Sequence, residues 1–138
     1  KLAELGAELL EATIPSILDE TIQPKTQDEG LATYVSMMKK SDGLLDFYQP
    51  AIELERKVRG FNPWPGAYMD FDRKNLKVHF AKVIQSKSAS PGKRLIIEGH
   101  PAVGTQDGLL ILEVVQPPGK KAMNGKDFLN GARDWSQE

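Results

Sequence analysis

The stretch Lys57-Val58-Arg59-Gly60-Phe61-Asn62-Pro63-Trp64-Pro65-Gly66-Ala67-Tyr68 cannot be a single regular element. Each proline fixes its own φ, removes a backbone donor and pushes the residue before it towards extended geometry. Gly66 gives the chain the freedom to turn into whatever follows. The segment therefore reads as a rigid elbow between a helix and a strand, pinned by the Trp64 ring. On its N-terminal side, Pro50 suits a first helical turn, and Ala51, Leu54, Val58 and Phe61 recur at helical spacing. On its C-terminal side the texture is that of strands. Tyr68 to Phe71 and Leu76 to Ile84 flank a polar Asp72-Arg73-Lys74-Asn75 turn and predict a hairpin. Leu76, Val78 and Phe80 alternate with Lys77 and His79, which predicts one buried and one wet face.

Beyond the hairpin, a loop over Gln85 to Gly92 leads to strands at Arg94 to Glu98, His100 to Val103 and Leu109 to Gln116, with Gly-rich turns between them. Asn124 to Gly131 reads as a closing helix anchored by Phe128 and Leu129. Short strands with one helix before and one after predict a small open β-barrel, with a sandwich as the alternative. Upstream, residues 2 to 14 predict a helix with Leu2, Leu5 and Leu9 on one face and Glu4, Glu8 and Glu11 on another; Pro15 ends or kinks it. Residues 19–30 have the composition of a linker. Leu31 to Met38 is ambiguous between strand and short helix, and reads better as a short extended element. Ser41-Asp42-Gly43 is a turn, and Leu44 to Phe47 a short extended piece.

The 138 residues, 40% apolar and 27% charged, suit one soluble globular domain of ordinary size. No apolar run approaches the ~20 residues that cross a bilayer. The absence of cysteine excludes disulfides and thiolate metal sites. The chain opens on Lys1 rather than Met, so it is expected to be a piece of something longer. Its net charge of -1 hides an asymmetry. Residues 1–30 hold two lysines against seven carboxylates, a net −5, whereas the remainder holds 16 basic against 12 acidic residues, a net +4. An acidic leader thus precedes a mildly basic body, the part more compatible with a polyanion.

Few residues carry reactive chemistry. His79 and His100 lack ligand spacing and are expected to be structural or solvated. Asp70, Asp72 and Asn75 lack the glycine and glutamate of a calcium loop, and Gly119-Lys120-Lys121 lacks the upstream glycine of a phosphate loop. The basic residues are more informative. Lys39, Lys40, Arg56, Arg59, Lys77, Lys82, Lys87, Lys93, Arg94, Lys120, Lys121 and Lys126 spread over several elements. Phosphate contact needs charge and reach rather than exact geometry, so a barrel could gather some of them into a cationic stripe. The leading candidates are Lys39, Lys40, Lys93, Arg94, Lys120 and Lys121. Arg59 is expected to brace the elbow, holding backbone carbonyls or an acidic partner, and Trp64 to pack into the core or hinge rather than stack on a base.

Together with the landmarks that follow it, the elbow Arg59…Asn62-Pro63-Trp64-Pro65-Gly66 resembles the C-terminal domain of the methionyl-tRNA formyltransferases. Gln27-Asp28-Glu29 with Ala32-Thr33-Tyr34 looks like the entry into that domain, and Lys40-Ser41-Asp42-Gly43-Leu44-Leu45-Asp46 is similar to its basic-acidic-Gly-apolar-Asp stretch, with Phe47 where a tryptophan is usual. Pro91-Gly92, Asp107-Gly108-Leu109-Leu110, Val115 to Met123 and Asp127-Phe128-Leu129-Asn130-Gly131 complete the set, which spans residues 27 to 131.

The resemblance implies a mainly β fold with flanking helices, an open oligonucleotide-binding-like Greek-key barrel. It divides the chain into residues 1–18, the last helix of a missing N-terminal catalytic domain, a linker at 19–30, and a tRNA-binding barrel at 31–138. That family formylates the amino group of methionyl initiator tRNA with 10-formyltetrahydrofolate. Its catalytic Asn, His and Asp and its Ser-Leu-Leu-Pro motif belong to the N-terminal domain. None has a counterpart here, and Thr13-Ile14-Pro15-Ser16-Ile17-Leu18 is not that motif. The fragment is thus expected to bind no cofactor, to be inactive alone, and to be a monomer without membrane contact. Its implied partners are initiator methionyl-tRNA and the catalytic domain, in bacterial cytoplasm or an organellar matrix. The alternative is an interdomain scaffold in a related formyltetrahydrofolate-using enzyme with no RNA partner. A free-standing interaction barrel is a further rival.

Overall fold

The structure, a computed structural model, describes residues 1–86 and 89–136. The chain divides into two compact units, Lys1–Ser36 and Met37–Glu138. In the first, α1 (Leu2–Leu18) runs through Pro15 rather than stopping before it. The proline withholds only its own donor, and no residue of α1 is buried, so water can serve the carbonyl left unpaired. A 3-10 turn at Glu29–Leu31 follows, with the Asp28 carboxylate accepting from the Gly30 amide at 2.9 Å. The extended element expected over Leu31 to Met38 does not form a strand. Tyr34, Val35 and Met37 lie exposed, and among the described residues no strand pairing includes them.

The second unit is built around the elbow. α2 (Ala51–Gly60) buries Ala51, Leu54 and Val58 at helical spacing and packs chiefly on β2. Burial of Leu54 and of Val58 each stabilises the unit by about 1.5–3 kcal/mol. Phe61 caps the helix, and the Gly66 amide donates back to the Phe61 carbonyl at 2.9 Å, closing the elbow on itself. Both the Asn62–Pro63 and Trp64–Pro65 bonds are cis. The hairpin then runs as β1 (Ala67–Phe71) and β2 (Lys74–Ile84). Its turn is only Asp72-Arg73, both at positive φ, the pairing that matches the twist of a two-residue hairpin; Lys74 and Asn75 already belong to the strand.

The remaining strands are β3 (Arg94–Ile97), β4 (His100–Gly104), β5 (Leu109–Gln116) and the two-residue β6 (Met123–Asn124). The antiparallel sheet has the order β1-β2-β5-β4-β3, with β6 also on β5. Strands β3, β4 and β5 follow one another as hairpins while β2 returns to lie beside β5. That is Greek-key order. His100 opens a strand, as the sequence predicts, whereas the short β6 has no counterpart in the sequence reading. β6 carries Asn124, whose side chain accepts from the Lys126 amide and starts α3 (Gly125–Leu129).

One face of the sheet supplies Met69, Leu76, Val78, Leu110, Leu112 and Val115 to the core. The sequence places Phe80 on that face, but Phe80 is 48% exposed and Ala81 is buried instead. Register shifts between Val78 and Phe80, and again between Phe80 and Ala81, account for the exchange: one extra residue in a period-2 strand turns the next side chain to the other face.

No backbone pairing joins edge strands β1 and β3, so the barrel is open. Side chains bridge that gap. The Phe71 ring lies 5.1 Å from Trp135 and 5.7 Å from Phe128, and the Arg94 guanidinium sits 5.3 Å above Phe71 and 5.9 Å from Trp135. Trp135 is fully buried, and its indole Nε1–H donates to the Leu95 carbonyl at 2.8 Å.

Candidate functional site

The geometry sorts the basic residues. Arg56 pairs with Glu53, Arg59 with Glu55 at 3.2 Å, and Lys82 with Glu113 on the neighbouring strand. Arg94 is half-buried over aromatic rings. That removes it from the exposed phosphate-binding candidates, because its charge serves the seam between β1 and β3. Lys93 lies exposed beside it, at the same end of the sheet. Lys87 lies outside the described residues. Arg59 finds its acidic partner on its own helix. A side-chain bond from this helix to the segment before it comes instead from Lys57, whose Nζ donates to the Leu44 carbonyl at 2.7 Å.

Lys40, Lys77 and the turn that carries Lys120 converge elsewhere. Strand register places Tyr68, Lys77 and Gln116 in one row across β1, β2 and β5. Successive side chains alternate faces, so this row lies on the side of the sheet away from the core. It forms part of a groove of 260 Å³ lined also by Asn75, by Pro65 and Gly66 of the elbow, by the turn Pro117 to Gly119, and by Lys40. No carboxylate lines it. Among the described residues, neither Lys40 nor Lys77 makes an ion pair.

Each wall is held by its own sequence. Pro118 followed by Gly119 at φ +72° has the signature of a type II turn, closed by the Lys120 amide donating to the Pro117 carbonyl at 3.1 Å. Gln116 fastens this turn to the strand: its amide nitrogen donates to the Lys120 carbonyl at 2.8 Å, and its oxygen meets His79 Nε2 at 2.8 Å. His79 thus has a structural role. Lys120 and Lys121 are presented by this anchored turn, both exposed.

On the other wall, Lys39 and Lys40 open a 3-10 turn (Lys40–Gly43) in which the Asp42 carboxylate accepts from the Lys39 amide at 2.8 Å. A Cβ at Gly43 would run into the Gly66 carbonyl oxygen, so only glycine lets this turn press against the elbow and bring Lys40 to the groove.

Round the sheet from it, a second groove of 410 Å³ runs along Phe71, Leu76, Met123 and Phe128. Lys74 and Lys120 there face Asp72 and Asp127. Its charges are mixed, and it is not a cationic surface. Sequence reading missed Lys74, because a four-residue turn hid its place on the strand. Lys77 stood only in the wider set; its alternation with Leu76 and Val78 was the signal that it faces outward. The expectation for Trp64 is corrected. Its side chain is 62% exposed, because the indole in the core is that of Trp135 and the two prolines hold Trp64 on the surface.

The sequence model of the formyl transferase C-terminal domain matches residues 37–133. The chain belongs to the formyl transferase C-terminal domain family. This domain is one found in one-carbon transferases, and its mainly antiparallel sheet with flanking helices is the fold the sequence predicts. A variant of HypX from Aquifex aeolicus superposes with a TM-score of 0.61 at 19% identity, over 94% of this chain and 23% of HypX. HypX in complex with tetrahydrofolic acid gives a TM-score of 0.57 at 18% identity, over 88% of this chain and 22% of that one. The chain spans under a quarter of the length of these HypX structures. At this identity the likeness is one of fold.

Proposed function

We propose that this formyl transferase C-terminal domain is the tRNA-holding part of a methionyl-tRNA formyltransferase. The observation that carries this reading is the groove beside the elbow, which Lys40 and Lys77 line and no carboxylate enters. Phosphates are held by charge within reach, and the anchored turn that forms one wall leads into the exposed Lys120 and Lys121. The domain contributes positioning: it binds initiator methionyl-tRNA so that a separate catalytic domain, using 10-formyltetrahydrofolate, can formylate the methionine amino group. Such a part works beside that catalytic domain in bacterial cytoplasm or an organellar matrix.

A second reading has its own support in the likeness to HypX, one structure of which contains tetrahydrofolic acid. There the barrel would be a scaffold between domains of a folate-using enzyme, and the groove would meet protein rather than RNA. Titration of the chain against initiator and elongator tRNA at several salt concentrations separates the two. The tRNA reading expects weak binding that falls steeply with salt and barely distinguishes the two tRNAs. Absence of binding at low salt would leave the scaffold.

A further inference from the structure

Trp64 is a tryptophan that the core does not use. It is 62% exposed, and among the described residues it makes no hydrogen bond or ring contact. Prolines on both sides and the Phe61–Gly66 hydrogen bond fix its backbone, so little conformational freedom remains to be lost when something settles on the ring. The next residue, Pro65, already lines the cationic groove with Lys40 and Lys77.

From this juxtaposition we propose that Trp64 is a stacking platform for an unpaired nucleobase whose flanking phosphates lie along Lys40 and Lys77. An indole stacks on any base, since every base has a π-face, while the lysines supply charge without sequence preference. Tyr68, half-buried on the groove floor, offers a second ring, and Asn75 an amide that can meet a base edge. The groove therefore favours single-stranded or looped RNA over a continuous duplex, whose bases remain stacked on one another. An apolar partner protein would also cover an exposed indole, but a cationic groove without carboxylates beside it matches a polyanion better.

The proposal rests on the polyanion reading above, and one experiment tells their failures apart. The chain is titrated with a mixed-sequence single-stranded oligoribonucleotide and with the blunt duplex of the same strand, following tryptophan emission and ligand anisotropy together. Trp135 is fully buried, so emission that responds to ligand reports Trp64. Single-stranded RNA should quench it, and duplex should bind without quenching. Trp64→Ala should weaken single-strand binding about tenfold, within what one stacked base contributes, without altering the salt slope. Trp64→Phe should recover much of the loss. If Trp64→Ala binds single strands as tightly as the parent chain, stacking is overturned and the electrostatic reading stands. If neither ligand binds at low salt, both fall.

Discussion

The two tryptophans stand on opposite terms with the same barrel. Trp135 lies in the seam between β1 and β3, packed on Phe71 and Phe128, bonded to the Leu95 carbonyl and covered by Arg94. Trp64 lies on the elbow with its ring in solvent, beside a groove whose lysines have no carboxylate partner there. The same pairing of cation and aromatic thus serves cohesion in one place and is left open in the other. In the seam the guanidinium lies over the rings and the indole donor is taken up by the Leu95 carbonyl, so these groups find their partners within the domain. At the groove, charge and π-surface are held in place by prolines and turns, and the RNA proposed above would supply the partner that no carboxylate lining the groove provides. Cohesion and binding are therefore separable by mutation.

The sharpest break is between the tryptophans themselves. Trp135→Ala removes a fully buried indole and strips the seam of its shared ring, and should cost about 3–5 kcal/mol in urea unfolding. Trp64→Ala should change stability by less than about 0.5 kcal/mol, as ordinary surface substitutions do. Comparable losses for the two would show that the elbow ring is structural after all. Next in size is Gly43→Val. Its side chain would collide with the Gly66 carbonyl, and relief by backbone movement should cost about 1–3 kcal/mol. Because the same contact delivers Lys40 to the groove, RNA binding should weaken even under conditions where the variant remains folded. A Gly43→Val chain that keeps full affinity would uncouple the turn from the groove.

The reach of sequence reading follows the same division. The elbow, the hairpin, β5 and the closing helix were legible because prolines, glycines and apolar alternation mark them locally. Phe80 was misplaced because its face depends on a bulge set by the register with β5, which no alternation within β2 reveals. β6 is two residues long and exists only because Val114 and Val115 have a free edge beside them. Trp64 was misplaced for a similar reason. Proline neighbours signal rigidity, but whether a rigid ring points inward depends on what already fills the core. The candidate site was legible in its residue types and only partly in its grouping. Lys40 and the Lys120 turn converge near Lys77, whereas Arg94 was drawn into the seam by rings from β1 and the C-terminal tail.

The groove's charges give an effect on binding rather than on folding. Lys77→Glu should leave the unfolding midpoint nearly unchanged, lower tRNA affinity, and reduce the slope of log K against log salt by about one. If the domain holds tRNA as proposed, reversal of Lys120 and Lys121 in a full-length formyltransferase should raise KM for tRNA more than it lowers kcat, since on that reading these residues would position substrate and touch no reacting atom. An unchanged KM would remove the two lysines from the site.

The smallest effects test which basic residue supports the elbow. Lys57→Met removes a donor from the Leu44 carbonyl, a hydrogen bond that ties α2 to the segment before it, and should cost about 1 kcal/mol. Arg59→Ala breaks only a surface pair with Glu55 one helical turn away, on a side chain that is 69% exposed. Such pairs contribute about 0.3–0.5 kcal/mol and are screened by salt. The two variants should therefore differ at low salt and differ more at 1 M salt, where the Arg59 contribution fades while the Lys57 bond to a neutral carbonyl persists. If Arg59→Ala proved the costlier at high salt, the arginine would have to hold the elbow through its fold rather than through its charge. The brace would then lie on the outer side of α2 rather than between α2 and Leu44.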